Sequence, residues 1–126
     1  MRTRARRPRN QGTPGVLART AAARTWGMAE WIYFIHAPRE NFAATMTDDE
    51  AIVWAAHFER LQRLTGEGVM ILVGPTLGPV NTGVAIFEAD DEAAARRIME
   101  EDPAIASGIG RGELRPFRIS LLRGRD

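Results

Sequence analysis

The sequence predicts an α+β fold: a four-stranded antiparallel sheet of ferredoxin-like βαββαβ order, with two helices on one face. Two observations carry this expectation. Apolar, β-branched and aromatic runs alternate with segments of helical period in that order. Both helical segments open on side chains that cap helix N-termini. A chain of 126 residues with 44% apolar side chains has the length and composition of one folded domain.

Glu30 to His36 reads as the first strand, because Trp31, Ile32, Tyr33, Phe34 and Ile35 are consecutive β-formers and Pro38 ends the run. Thr47-Asp48-Asp49-Glu50 spells a capping box, in which Thr47 and Glu50 satisfy each other's backbone donors. It starts a helix expected from Asp48 to about Thr65, stopped by Gly66 and Gly68. Its buried stripe is Val53, His57, Leu61 and Leu64, widened by Trp54 and Phe58. Val69 to Val73 is the second strand, Gly74 to Pro79 a turn, and Thr82 to Glu88 the third strand. Asp90 or Asp91 opens a second helix through Met99, which Pro103 ends. After Gly108, Gly110 and Gly112, a fourth strand is expected over Glu113 to Leu122, with Pro116 marking an edge or an irregular start.

Two helices cover only one face of such a sheet. The first two strands are apolar on both sides, so the other face needs a cover. A second copy of the chain, packed sheet to sheet as a homodimer, supplies it most simply.

Charge divides the chain. Residues 1–27 hold seven arginines and no acid, whereas residues 28–126 carry ten arginines and sixteen acids, a net of −6. The leader has too little apolar surface to offset its ordering entropy. It reads as a disordered tail, or as sequence ahead of a true start at Met28; the folded domain is 28–126. Arg6-Arg7 suggests an export signal, but Val16-Leu17-Ala18 is too short for its apolar core. The leader's charge suits nucleic acid, yet no aromatic residue precedes Trp26 to stack on bases. No apolar run approaches the roughly 20 residues that span a bilayer. Neither nucleic acid nor a membrane is therefore expected as a partner. The lack of cysteine excludes disulfides and thiolate chemistry and fits a cytoplasmic protein.

Two histidines are the only side chains with an ordinary titration near neutral pH. His57, on the buried stripe, is either a satisfied core residue or, with a carboxylate partner, a group that moves protons. Asp102 stands in Glu100-Glu101-Asp102-Pro103, where an acid at a helix C-terminus opposes the dipole and Pro103 forces extended backbone. It is either a solvated helix-end acid or the partner of a nearby imidazole. His36 ends the first strand, and Arg39 and Arg60 are cations available to an anionic substrate. Two separated histidines without cysteine do not make a transition-metal site. The Gly108–Gly112 run lies between a helix and a strand, the reverse of a dinucleotide-binding loop. Ser107 and Ser120 do not lie in a nucleophile elbow.

Four short stretches, in order, resemble the YCII-related domain family. They are Ala56-His57-Phe58-Glu59-Arg60-Leu61, Val73-Gly74-Pro75, Glu101-Asp102-Pro103 and Leu114-Arg115-Pro116-Phe117. The resemblance runs from Trp31 to Arg123. It implies a dimeric α/β barrel, with a pocket holding a His–Asp pair at His57 and Asp102 and a Gly-Pro turn at Gly74 and Pro75. His36 and Arg39 are further candidates for contact with a small-molecule ligand. Where the family has an aromatic after Asp-Pro, this chain has Ala104, implying a wider pocket. The expected chemistry is acid/base isomerisation or a dehydrochlorinase-like elimination on a small carbonyl- or lactone-containing molecule, with no cofactor and no metal. A non-catalytic ligand-binding or regulatory module is the alternative.

Overall fold

The computed structural model describes residues 29–124, so the leader expected over 1–27 lies outside the described residues. The elements are β1 (Ala29–His36), a 3-10 turn (Phe42–Ala44), α1 (Asp48–Gly66), β2 (Met70–Pro75), β3 (Thr82–Ala89), α2 (Glu92–Glu100), α3 (Pro103–Ala106) and β4 (Arg111–Phe117). The sheet order is β2-β3-β1-β4 and every neighbouring pair is antiparallel, as the ferredoxin-like order requires.

Strand alternation decides what each face holds. Trp31, Tyr33 and Ile35 point to the helix-bearing face and are buried with Leu61, Leu64, Met70, Phe87 and Met99. Each large side chain removed from water here contributes about 1.5–3 kcal/mol. Tyr33 meets Phe87 edge to face at 5.6 Å. Ile32 and Phe34 lie on the other face, in register with Ile86 and Val84 of β3. Exposed Leu72 and Phe117 extend that face towards its two edges.

The capping box at α1 is formed: Glu50 N donates to Thr47 Oγ1 at 3.1 Å and Thr47 N donates to Glu50 Oε1 at 2.9 Å. Asp91 caps α2 by accepting from Ala94 N at 2.8 Å. Phe58, expected to widen the buried stripe, is instead 58% exposed.

Several boundaries differ from the sequence reading: β2 runs on to Pro75, and two other differences have a clear structural cause. The second helix stops at Glu100, ahead of Pro103 as expected, but Pro103 also opens a further short helix: it is the first residue of α3, where its missing N–H goes unmissed and Asp102 becomes the N-cap. The fourth strand starts at Arg111 and stops at Phe117, short of the expected Leu122. The reason is the partner strand: Phe117 pairs with Glu30 at the beginning of β1, and the ladder runs out there.

The glycines before β4 serve packing. A Cβ on Gly110 would stand 2.6 Å from Ile35 Cγ2 and 3.2 Å from the Ala104 carbonyl oxygen. Gly110 N also donates to that carbonyl at 2.8 Å, so the backbone has no room to retreat. Gly110→Ala is expected to destabilise the domain by about 1–3 kcal/mol through overpacking. Urea unfolding checks this: the midpoint falls while the slope is unchanged.

Candidate active site

The site begins with helix periodicity. His57 lies on the face of α1 that carries Leu61 and Leu64, so the ring is carried towards the sheet. Asp102 arrives from the other direction. Pro103 holds it extended (φ −66°, ψ 125°), and its Oδ1 accepts from Ala104 N at 2.9 Å. The same oxygen lies 2.7 Å from His57 Nδ1. Its second oxygen, Oδ2, accepts from the Tyr33 hydroxyl at 2.6 Å. Helix α1, the α2–α3 corner and the central strand thus converge on one carboxylate.

Asp102 is fully buried. Burial opposes its ionisation, but the hydrogen bonds from His57 and Tyr33 outweigh burial and hold the carboxyl below its ordinary range. Burial pushes the Tyr33 hydroxyl far above its ordinary value, and the charge of Asp102 pushes it further. Tyr33 therefore stays a donor. The ionised Asp102 accepts the Nδ1 proton of His57, fixing one tautomer and leaving Nε2 the free nitrogen. Among the described residues Nε2 has no hydrogen-bond partner. Arg60, one turn after His57, is mostly enclosed, with Nη1 buried and unpartnered and Nη2 3.9 Å from Glu101.

His57 forms part of the wall of a cavity of about 420 Å³, with Phe42, Trp54, Leu61, Val73 and Ala85 around it. Trp54 packs at 5.4 Å from the His57 ring and at 4.7 Å from Phe42. Gly74 and Pro75, at the end of β2, line the same cavity.

His36 and Arg39 are not brought here. His36 is on the opposite sheet face, 2.9 Å from Glu113, because an even-numbered residue of β1 points away from Tyr33. Arg39 is held by Glu50 at 2.8 and 2.9 Å and lies over the Phe42 ring at 5.1 Å. That grip holds the Glu50 carboxyl down to about 2, and it braces the cavity's Phe42 wall from outside. Ala104 is buried in the core beside Asp102 and does not line the cavity, so it does not widen it. Among the described residues no three His, Cys, Asp or Glu side chains group as metal ligands would.

Tyr33 was legible only as a strand residue. The available signal was its alternation with Trp31 and Ile35: a tyrosine on a buried face needs an acceptor for its hydroxyl. Removing that donor is expected to destabilise the protein near neutral pH by about 1–3 kcal/mol, since one Asp102 oxygen is left buried and unpaired. Asp102 titrates lower in the folded chain than its ordinary 3.8. Its contribution is therefore complete above that value and is lost as pH falls through the lower folded one. The stability gap between wild type and Tyr33→Phe should accordingly narrow in acid, as measured by urea unfolding across a pH series. A gap constant with pH would mean that the hydroxyl does not serve the ionised carboxylate.

Comparisons with known proteins agree with this architecture. None of the curated proteins matches the chain. Among solved structures the chain is similar to 5-chloro-2-hydroxyhydroquinone dehydrochlorinase from Burkholderia phenoliruptrix, determined in complex with 2,5-dihydroxybenzoquinone. The two are 19% identical with a TM-score of 0.51, over 69% of this chain and 93% of that one. A likeness at that identity concerns the fold. The YCII-related domain matches residues 31–118, a span that takes in the whole sheet from Trp31 onward, the helices, His57, Gly74-Pro75 and Asp102, and the chain therefore belongs to the YCII-related domain family.

Proposed function

We propose that the protein is a small acid/base enzyme that isomerises, or eliminates a leaving group from, a small carbonyl- or lactone-containing molecule. One observation carries the reading: an imidazole in a cavity wall, tethered at Nδ1 to a buried carboxylate 2.7 Å away, with Nε2 left free. The Nε2 lone pair takes a proton from the substrate, and the imidazolium so formed is stabilised by Asp102. In isomerisation the proton returns to a different atom. In elimination the electrons of the broken C–H or O–H bond form a double bond as the leaving group departs. Gly74 and Pro75 shape the cavity beside the ring. The dehydrochlorinase of similar fold performs a reaction of the second kind, which supports including elimination. Such chemistry asks for no cofactor, and a cysteine-free chain suits the cytoplasm.

The functional unit in this reading is a homodimer joined through the open sheet face. Ile32, Phe34, Ile86 and Leu72 make an apolar strip there, and the sheet has helices on its other side only. No helix among the described residues is long and apolar enough to cross a membrane. Phe34→Asp is expected to yield a folded monomer by light scattering. A wild-type chain that is monomeric at micromolar concentration would refute the assembly.

The catalytic assignment is tested by screening lactones, carbonyl compounds and chlorinated hydroquinones for thermal stabilisation, then following turnover of the hits. His57→Gln, if folded, is expected to lose about 10²–10⁴-fold in kcat, the usual worth of general acid–base assistance. Full turnover by that variant would sink the assignment. Tight binding without turnover in the wild type would instead favour a ligand-binding module.

A further inference from the structure

We infer that the cavity selects uncharged, mainly apolar single-ring molecules and rejects the carboxylates of the same skeleton. The inference deepens the acid/base reading of this site and rests on it.

The wall is chiefly hydrocarbon, with Phe42, Met46, Trp54, Leu61 and Val73. Its few polar side chains are already committed. Asn81 donates through Nδ2 to the Gly78 and Thr76 carbonyls, at 3.1 and 3.4 Å, and accepts from Ala43 N at 3.0 Å. Thr76 donates to the Val80 carbonyl at 3.0 Å and accepts from Thr82 N at 2.9 Å. The Tyr33 hydroxyl is spent on Asp102. His57 Nε2 and the Trp54 indole N–H, a neutral donor, are the side-chain polar groups that remain.

Among the described residues no cation faces the space. The chain has no lysine, and none of its described arginines lines the cavity. Arg39 is bound to Glu50 outside, and Arg60 lies beside Tyr33 and Glu101. Meanwhile Asp102 places a buried negative charge directly behind the imidazole. A second anion in front of that ring would meet like charge in a setting that screens it poorly. It enters only if a proton comes with it and settles on Nε2. A neutral hydroxyl or carbonyl compound needs no such proton. A cavity of about 420 Å³ lies in the range that encloses one small ligand.

Three probes of one skeleton test this with the full-length protein: p-cresol and 4-methylbenzamide, both neutral, and 4-methylbenzoate. Calorimetry near neutral pH is expected to show the neutral pair binding about tenfold or more tightly than the anion. Calorimetry in buffers of different ionisation enthalpy should show proton uptake with the benzoate alone, and its affinity should rise as pH falls. Nitrogen NMR of His57 should report p-cresol at Nε2. The inference is overturned if 4-methylbenzoate binds as well as the neutral probes without taking up a proton, or if neither neutral probe binds at millimolar concentration. Neutral selectivity alongside unimpaired turnover by His57→Gln would leave the inference standing and remove the acid/base reading instead.

Discussion

One buried carboxylate organises this protein. Asp102 has no exposure to water, so every hydration contact it gives up must be replaced from within. Three donors replace them: His57 from α1, Tyr33 from β1 and the Ala104 amide from its own corner. An ionised group in such a place is tolerable only when its partners are in position together. The carboxylate is therefore a constraint on assembly as much as a component of a site. Helix, strand and corner must reach their native places for the charge to be satisfied.

The local backbone prepares that meeting. Pro103 fixes the residue before it in extended geometry and opens α3, so the local chain itself helps to aim Asp102. The cap to Ala104 and the bond to His57 use the same oxygen. Positioning and chemistry are thus coupled: the group that ends one turn and begins the next also orients the imidazole. Gly110 completes the corner from behind, because only a residue without a side chain lets Ile35 and the Ala104 carbonyl come so close.

The cavity derives from the same arrangement. Its aromatic wall is held by Arg39 and Glu50, an outer pair that never enters it, and its polar end is the single nitrogen that Asp102 leaves free. A site with one proton-exchanging atom and committed neighbours favours ligands by what they lack, namely charge.

The sequence by itself determined a good deal. Period-two and helical patterns identified the four strands and two principal helices, the capping box placed the start of α1, and short motifs singled out His57, Asp102 and Gly74-Pro75. These features are local, written in residues a few positions apart. Other features were not legible, because they depend on who stands opposite. The true end of β4 follows from where β1 begins. The role of Pro103 follows from a turn of helix too short to have a pattern. That His36 turns away while Tyr33 turns in follows from strand parity combined with the packing of α1 over the sheet, and Arg39, past the end of β1, is held away by Glu50. Only the tertiary structure decided that an imidazole and a carboxylate 45 positions apart would share a hydrogen bond. Periodicity can place a side chain on a face, but the partner on the facing element is settled by packing.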